Sequence, residues 1–291
     1  MAEIVVASGK GGVGKSTVLS SLAIFFKEKN NAIVDGDAEA PNLHLLFDVE
    51  WLEDREYKGK SIAVVNHDKC NLCGKCVEVC EYKAIKLEKN RIKILDYICE
   101  GCRACVVTCP EKAIEIKNEI YSGRIRIGRT EYGPFISPEL EPGQSNSGKL
   151  VTEEKNIARS WKEKGIKNIL VDSAAGIGCQ VIASMGGANY AILVVEPTKS
   201  SFSDMLRAYD LSYHFRIKSF IIINKYDINP GFDLIEKFSR EEGIEIIGKI
   251  PYDKNIPISM ARNKPIFLYD PNSPSVKAMK DFFPSISNIF E

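Results

Sequence analysis

The sequence predicts an α/β protein in which a mostly parallel sheet, covered by helices on both faces, is interrupted by a small inserted α+β domain. Short apolar segments alternate with amphipathic ones along most of the 291 residues, which is typical of parallel strands separated by helices. This alternation stops between about residues 66 and 118, where eight of the nine cysteines lie. We therefore expect an α/β domain in residues 1–66 and 118–291, and an inserted domain in residues 67–117.

The expected strands are almost continuously apolar and rich in β-branched residues. They lie at residues 3–7, 32–35, 168–172, 190–196, 219–224 and 244–250. Amphipathic segments predict helices at residues 16–29, 152–164, 201–214 and 231–242. Residues 119–150 are rich in Gly, Ser and Pro, which indicates a hairpin followed by a long loop.

The segment after the first strand reads SGKGGVGKST and fits two phosphate-binding patterns. Gly9, Gly11 and Gly14 satisfy the dinucleotide pattern G-x-G-x-x-G, whereas the stretch from Gly9 to Ser16 satisfies the P-loop pattern G-x-x-x-x-G-K-[ST]. A pyrophosphate needs only the amides at a helix N-terminus. A nucleoside triphosphate with Mg²⁺ also needs an ammonium group and a hydroxyl, which Lys15 and Ser16 supply. We therefore predict a P-loop. Its ligand-binding residues are Gly11, Gly12, Val13, Gly14, Lys15, Ser16 and Thr17.

Aspartates follow two of the expected strands, as a P-loop site requires. Asp35 and Asp37 end the second strand in IVDGDAEAPNL, and Asp172 ends a later strand in LVDSAAGIG. A carboxylate beside a P-loop can hold Mg²⁺, and another can orient the attacking water. Gly176 and Gly178 would give a flexible loop near the γ-phosphate. The predicted Mg²⁺ ligands, direct or through water, are Ser16, Asp35 and Asp172.

The cysteines form two runs with the spacing C-x2-C-x2-C-x3-C. Zinc ribbons use two separated C-x2-C pairs, and disulfides rarely persist in a reducing cytosol, so both alternatives are disfavoured. Bacterial two-cluster ferredoxins use this run, with three ligands from one run and the fourth from the other. We therefore predict two [4Fe–4S] clusters. The ligands of the first are Cys70, Cys73, Cys76 and Cys109, and those of the second are Cys99, Cys102, Cys105 and Cys80. Residues 67–117 resemble a complete two-cluster ferredoxin, although Glu81 stands where proline usually follows the fourth cysteine.

The motifs KGGVGKST, VDGDAEAPNL, VDSAAGIG, VVEPT and IIINKYD resemble those of the MinD/Mrp/ParA group of P-loop ATPases, to which the nitrogenase iron protein also belongs. The resemblance implies ATP or ADP with Mg²⁺ as cofactors, and an ATP-dependent homodimer or a heterodimer with a paralogue. It implies that Lys10 reaches the phosphates bound by the partner subunit, and that Asp37 is the catalytic aspartate. The implied catalytic set is Lys10, Lys15, Asp37 and Asp172.

The resemblance also implies where the base binds. Asn224 would contact adenine, and the loop from Pro251 through Tyr252 to Asp253 would close over it. The same segment, NKYD, fits the guanine-reading pattern N-K-x-D, with Asp227 as the reading residue. The adenine preference of the group outweighs that alternative.

Two functions are compatible with a P-loop and two iron–sulfur clusters in one chain. Both functions require an iron–sulfur or redox acceptor protein. The first is the assembly or transfer of iron–sulfur clusters or metallocofactors through an ATP-dependent dimer. The second is ATP-gated electron transfer from the two clusters, as the likeness to the nitrogenase iron protein suggests. A third possibility is that permanent clusters only stabilise the inserted domain. Cys179 stands apart from both runs, and we expect it to pack in the core rather than to bind a ligand.

Composition limits the other partners. Lys and Arg together number 39, as do Asp and Glu, so bulk charge gives no reason to expect nucleic acid or a membrane surface as a partner. No apolar run approaches the ~18 residues that a membrane-spanning helix needs. The N-terminal residues lead directly into the first strand without a signal peptide, which favours a cytoplasmic location.

Overall fold

The computed structural model describes residues 1–144 and 146–291, and the chain forms two compact units. The first unit comprises Met1–Asp54, Ile125–Glu139 and Ser147–Glu291, and the second comprises Arg55–Arg124 and Leu140–Asn146. The expected inserted domain, residues 67–117, lies inside the second unit, which begins earlier in the chain. Ser145, in the expected loop at 119–150, lies outside the described residues.

Thirteen strands are present in the described residues. In chain order they are β1 (Ala2–Ser8), β2 (Asn31–Gly36), β3 (Glu50–Tyr57), β4 (Lys60–Val65), β5 (Ile85–Glu88), β6 (Arg91–Ile94), β7 (Ile114–Ile120), β8 (Gly123–Thr130), β9 (Gly133–Leu140), β10 (Asn168–Ala175), β11 (Tyr190–Val195), β12 (Lys218–Asn224) and β13 (Glu245–Ile250).

Ten α-helices accompany them, and short 3₁₀ stretches follow several. The helices are α1 (Lys15–Phe25), α2 (Lys75–Glu78), α3 (Ala104–Thr108), α4 (Ser147–Ser160), α5 (Cys179–Met185), α6 (Lys199–His214), α7 (Leu234–Glu242), α8 (Asn255–Ala261), α9 (Ile266–Tyr269) and α10 (Pro274–Phe282). The 3₁₀ stretches are Lys27–Lys29, Leu43–Leu46, Trp161–Lys164, Tyr226–Ile228 and Phe283–Ile289. Within the described part of the chain, no helix is both long and apolar enough to cross a bilayer.

The main sheet has nine strands in the order β13-β12-β11-β1-β10-β2-β9-β8-β3. The strands from β13 to β9 pair in parallel, and β1 lies between β10 and β11. Because the carboxyl ends of parallel strands meet at one edge of the sheet, the loops after β1, β2 and β10 meet at that edge. This is the edge that carries the predicted phosphate loop and the three predicted aspartates.

The residues at the centre of β1 show why its sequence is almost continuously apolar. The side chains of Ile4 and Val6 belong to one hydrophobic cluster. The same cluster contains residues of α1, α9 and α10. Val5 and Ala7 point to the opposite face and are also 0% exposed. Both faces of the sheet are therefore covered, as strands with no polar alternation require.

The second unit contains two small antiparallel sheets, β4–β7 and β5–β6. Its core combines aliphatic side chains with three cysteines, Cys76, Cys99 and Cys105. The short helices α2 and α3 each carry the third cysteine of a run. Thiols therefore occupy core positions that a unit of this size would otherwise fill with aliphatic side chains.

Two sequence expectations differ from the structure at their boundaries, and the structure contains an edge strand that the sequence pattern does not predict. The hairpin expected in residues 119–150 is present as β8 and β9, but the long loop is absent from the described residues, because α4 already begins at Ser147. The first helix ends at Phe25, and a 3₁₀ turn follows, since the chain enters the left-handed region at Asn30, where φ is 53°. The strand β3 was not expected, because its sequence EWLEDREY is mostly charged and exposed.

Candidate functional site

The phosphate loop joins the carboxyl end of β1 to the first residue of α1. Ser8 ends β1 and its hydroxyl donates a hydrogen bond to the Lys10 carbonyl at 2.6 Å. Gly14 has a φ of 99°, and a Cβ atom there would lie 2.4 Å from Asn224 Nδ2. A side chain would therefore collide with the amide that holds the loop. The loop and the helix N-terminus leave backbone N–H groups available to bind phosphate.

Asn224 ties the loop to the end of β12. Its Nδ2 atom donates a hydrogen bond to the Val13 carbonyl at 2.8 Å, and the side chain is 3% exposed. The next residue, Lys225, forms an ion pair with Glu196 at 2.6 Å. Asn224 therefore positions the phosphate loop as well as lining the space beside it.

An open pocket adjoins the phosphate loop. Its volume is about 1080 Å³ when the space at its solvent-exposed opening is included. It brings together residues of the loop and of the segments after β12 and β13. Its lining comprises Gly12, Gly14, Lys15, Ser16, Thr17, Asn42, Asn224, Lys225, Tyr252, Asp253, Ile256, Pro257 and Met260. The described residues of the predicted site that do not line it are Lys10, Gly11, Val13, Asp35, Asp37, Asp172 and Pro251. The pocket thus combines a phosphate-binding end with an apolar end that suits a base.

The three predicted aspartates form one group, and two of them, Asp37 and Asp172, interact with Lys15. Asp172 stands directly opposite Asp35 in the parallel pairing of β10 with β2. Burial, helped by the charge of Asp172, raises the pKa of Asp35 to about 8. Burial also raises the pKa of Asp172 to about 6, although Ser16 and Lys15 act to lower it. Lys15 is itself buried, and burial lowers its pKa against the attraction of Asp172 and Asp37.

These groups fit a divalent cation. The Oδ1 atom of Asp172 is buried and has no hydrogen-bond partner among the described residues, and the Ser16 hydroxyl bonds to the same carboxyl group. Hydroxyl and carboxylate oxygens, completed by phosphate oxygens, are the ligands that Mg²⁺ prefers. A cation there would relieve the repulsion among the carboxylates. Lys10, by contrast, is exposed on the loop.

The eight clustered cysteines line two separate pockets in the second unit. One pocket is lined by Cys70, Cys73, Cys76 and Cys109, and the other by Cys80, Cys99, Cys102 and Cys105. Each pocket therefore contains three cysteines of one run and the fourth cysteine of the other, the same division as the ligand sets expected from the sequence. Within the described residues, all nine cysteines are free thiols.

The backbone around the two runs repeats position by position. Left-handed conformations occur at matching places: Leu72 (φ 62°) and Gly101 (62°), Gly74 (78°) and Arg103 (68°), and Lys83 (53°) and Lys112 (50°). Such conformations are unfavourable for side chains other than glycine and asparagine, and they are often retained at ligand-binding loops. The repeat therefore indicates that both runs are shaped for the same kind of ligand.

Sulfur chemistry in these pockets also fits a polynuclear metal cluster. Burial, together with the neighbouring Cys99 and Cys102, raises the pKa of Cys105 to about 11. The Ala63 amide donates to Cys99 Sγ at 3.4 Å, and the Ala113 amide donates to Cys109 Sγ at 3.3 Å. Crowded thiolates need compensating positive charge, and amide hydrogen bonds to sulfur are typical of iron–sulfur sites.

No three His, Cys, Asp or Glu side chains converge on a single metal ion anywhere in residues 1–144 and 146–291. This result is compatible with both candidate sites. At a P-loop, phosphates and waters supply most of the Mg²⁺ ligands. In a [4Fe–4S] cluster, each cysteine binds a different iron atom, so the four sulfur atoms surround a volume rather than one point.

Comparison with known proteins identifies the larger part of the chain. A sequence model of the CobQ/CobB/MinD/ParA nucleotide binding domain matches residues 4–266. The chain belongs to this family. An uncharacterized protein of Methanocaldococcus jannaschii is 41% identical over 284 residues, which cover 97% of this chain and 95% of that protein. An uncharacterized ATP-binding protein of the same organism is 24% identical and covers 96% of this chain and 84% of its own length.

Solved structures of the CobQ/CobB/MinD/ParA family share the fold. The septum site-determining protein MinD from Pyrococcus horikoshii, complexed with Mg-ADP, superposes with a TM-score of 0.61 at 19% identity. The match covers 99% of this chain and 96% of that chain. The chain thus has the α/β P-loop fold of the family, with its mostly parallel sheet.

The burial of several polar residues could not be predicted from the sequence. Gln180, Glu154 and Lys155 are at most 7% exposed, yet no motif contains them. Gln180 follows Cys179, and Cys179 itself is exposed at the first position of α5 rather than packed in the core as expected. A short helix that begins directly after the Gly176–Gly178 loop leaves its first side chain in solvent.

Proposed function

We propose that this chain is an ATP-binding and ATP-hydrolysing iron–sulfur protein that keeps two [4Fe–4S] clusters and passes electrons to a partner protein in a nucleotide-dependent manner. The observation that carries the proposal is the pairing of three cysteines from one run with the fourth of the other in each sulfur-lined pocket. That arrangement is the ligand pattern of two-cluster ferredoxins.

Family membership and the phosphate loop support ATP as the nucleotide. Lys15 would bind phosphate oxygens, while Ser16 and Asp172 would hold Mg²⁺, with Asp35 beside them. Bound Mg²⁺ would neutralise charge on the β- and γ-phosphates. Asp37, half-buried near Lys15, would orient the attacking water, and its position is fixed by a bond from the Ala40 amide at 3.2 Å. The base would lie between Asn224 and the loop from Pro251 to Asp253.

Lys10 supports the proposal of an ATP-dependent dimer. Its ammonium group is exposed and does not line the pocket of its own chain. A lysine in this place can reach phosphates bound by a partner subunit, either a second copy or a paralogue. Lys10→Ala should abolish ATP-dependent dimerisation in light scattering while both clusters remain. Dimers that form equally well without Lys10 would remove this role.

The burial of three cysteines favours one of the two hypotheses about how the clusters are used. Cys76, Cys99 and Cys105 are 7–8% exposed and belong to the hydrophobic core of the second unit. Releasing a cluster would leave buried thiols and an incomplete core, so resident clusters are favoured over clusters that are delivered. When bound, each cluster would accept one electron from a low-potential donor protein and give one electron to an acceptor protein. The proposal assigns the chain to a reducing compartment such as the cytoplasm.

Cluster assembly or transfer, the first of the two functions expected from the sequence, becomes the second candidate function. Cys73 and Cys102 are exposed, so one ligand of each proposed cluster is accessible to an acceptor protein. Ligand exchange with an incoming thiolate would begin at these exposed cysteines. This candidate requires that iron leaves the chain during the ATP cycle.

The test uses the full chain, purified and reconstituted without oxygen. Iron, sulfide and the electron paramagnetic resonance of the reduced protein should correspond to two [4Fe–4S] clusters. Cys76→Ser and Cys105→Ser should each remove one cluster, and Cys179→Ser, the matched control outside both runs, should remove none. Zinc in place of iron, or two clusters in the Cys76→Ser variant, would refute the cluster assignment.

The same preparation distinguishes electron transfer from cluster transfer. The reduced protein is mixed with a one-electron acceptor in the presence of ATP, ADP or no nucleotide. A rate of acceptor reduction that depends on nucleotide, with iron retained, supports electron transfer. Iron that moves to an apo-ferredoxin faster with ATP supports the second candidate. Equal rates in all nucleotide states, with no iron released, contradict both.

A further inference from the structure

A groove lies beside the first cysteine pocket in the second unit, between β4 and β6. We call it the β4–β6 groove. Its floor includes the apolar side chains of Val65, Ile92 and Ile94. Its rim carries the exposed cations Lys89 and Arg91. An apolar floor with a charged rim is the usual composition of a protein-binding site.

Two side chains of the floor also form a wall of the sulfur-lined pocket. Val65 and Ile92 line the groove, and both line the pocket that contains Cys70, Cys73 and Cys76. A molecule in the groove is therefore separated from that cysteine quartet by a single layer of aliphatic side chains. Electron transfer requires only such proximity, not a covalent path.

The rim carries three cations and two carboxylates, so its net charge is positive. Lys89 and Arg91 form no ion pair with any residue of the described chain, while Lys93 pairs with Glu88 at 3.7 Å. Asp96 is the other carboxylate of the rim. An acidic surface would therefore meet two rim cations, Lys89 and Arg91, that are not already paired with a carboxylate of the described residues.

The two strands beside the groove each keep one free edge. Among the described strands, β4 pairs with β7 alone and β6 pairs with β5 alone. A free edge offers backbone N–H and C=O groups to an incoming extended segment. The carboxylates of Glu88 and Asp96 interrupt the positive charge of the rim, so the rim suits a segment with spaced acidic side chains better than a phosphate backbone, which is charged along its whole length.

We propose that the β4–β6 groove docks an acidic segment of a one-electron carrier protein, next to the cluster bound by the first cysteine quartet. This inference rests on the proposed electron-transfer function and names the surface through which it operates. In each encounter one electron leaves the reduced protein and enters the carrier, and the docked segment then dissociates.

The test uses the reduced, cluster-loaded full chain and an oxidised acidic flavodoxin as the probe. One electron passes to the flavin, which takes up one proton from water, and dithionite supplies the electrons to the chain beforehand. In a separate measurement, both proteins are oxidised so that no electron passes, and binding is measured by titration calorimetry at low and at high salt. Lys89→Glu with Arg91→Glu should weaken binding by about tenfold at low salt and should remove most of its salt dependence.

A matched control separates the groove from net charge. Lys83→Glu with Lys86→Glu changes the net charge of the second unit by the same amount, but neither residue lines the groove. This variant should keep near-normal binding. Equal loss in both double variants would overturn the proposal, as would binding of duplex DNA or anionic vesicles in preference to flavodoxin.

Cluster content, measured on the same samples, distinguishes failure of the proposed function from failure of the docking site alone. A preparation without iron–sulfur clusters would end the proposed function, whatever the binding results. A preparation that has both clusters and reduces a small anionic oxidant, but binds flavodoxin equally with and without the rim cations, would overturn the docking site alone.

Discussion

Gln180 accepts a hydrogen bond from the backbone amide of Ala38, with Oε1 and N 2.8 Å apart. The two residues are remote in sequence, but each belongs to a segment beside the phosphate site. Ala38 directly follows Asp37, and Gln180 is the second residue of α5, just after the Gly176–Gly178 loop. Both partners are buried, so water does not compete for the bond. A movement of the Gly176–Gly178 loop should therefore shift Asp37, the residue expected to orient the attacking water.

We expect Gln180→Leu to lower kcat for ATP hydrolysis by about ten- to a hundredfold, because a displaced Asp37 no longer aligns the water. KM for ATP should change much less, since the phosphate loop keeps its contacts. Gln180→Glu retains an acceptor oxygen at the same distance and should keep most of the activity. Steady-state kinetics of the three proteins test this, and equal kcat values would contradict it.

Lys155 provides a prediction about stability. Its ammonium group is 1% exposed, lies 2.6 Å from Glu3 Oε1, and donates to the carbonyls of Ala183 and Gly186 at 2.8 and 2.7 Å. Lys155→Met would remove one of the two cations that pair with the buried carboxylate of Glu3, leaving Arg159, and would take a charged donor from the Ala183 carbonyl. We expect a loss of about 3–5 kcal/mol in the free energy of urea unfolding. Lys162→Met, at an exposed position, should change it by less than about 0.5 kcal/mol.

Glu154 predicts a pH dependence of stability. It is fully buried, neither carboxyl oxygen has a partner among the described residues, and burial, with the charge of Asp35, raises its pKa well above 4.5. A carboxyl with a raised folded-state pKa binds a proton on folding, so stability falls as pH rises above the unfolded-state pKa. Glu154→Gln cannot ionise. Urea unfolding should therefore show the variant gaining stability relative to wild type between about pH 5 and 8. A constant difference across that range would show that Glu154 does not titrate there.

Asp227 predicts the base preference. Its Oδ1 atom accepts a hydrogen bond from the Tyr252 amide at 2.7 Å, and Asp227 does not line the pocket. The N-K-x-D pattern therefore serves here to fix the loop that carries Tyr252, rather than to read guanine. We expect tighter binding of ATP than of GTP. Asp227→Ala should weaken both by about 1 kcal/mol and leave their ratio unchanged, as competition titration can establish. A ratio that collapses in the variant would restore the guanine-reading role.

The elements predictable from the sequence are those whose cause is local. The strand β1 and the phosphate loop follow from an apolar run and from glycines at fixed spacing before Lys15. The strand β3 could not be predicted, because a charged edge strand has no apolar pattern and its partner β8 lies about 70 residues later. The burial of Lys155 depends on Glu3, which is distant in sequence and belongs to no shared motif. The role of Asp227 likewise depends on the amide of Tyr252, which the pattern N-K-x-D does not contain.

The three cysteines in the core of the second unit have a consequence for how the protein matures. Newly made chains would have a complete core in the first unit, but in the second unit they would have thiols where aliphatic packing is needed. Insertion of iron and sulfide would then be a folding event as well as the gain of a cofactor. If the two proposed clusters are resident, the fraction of chains with a folded second unit would therefore depend on the supply of iron and sulfide.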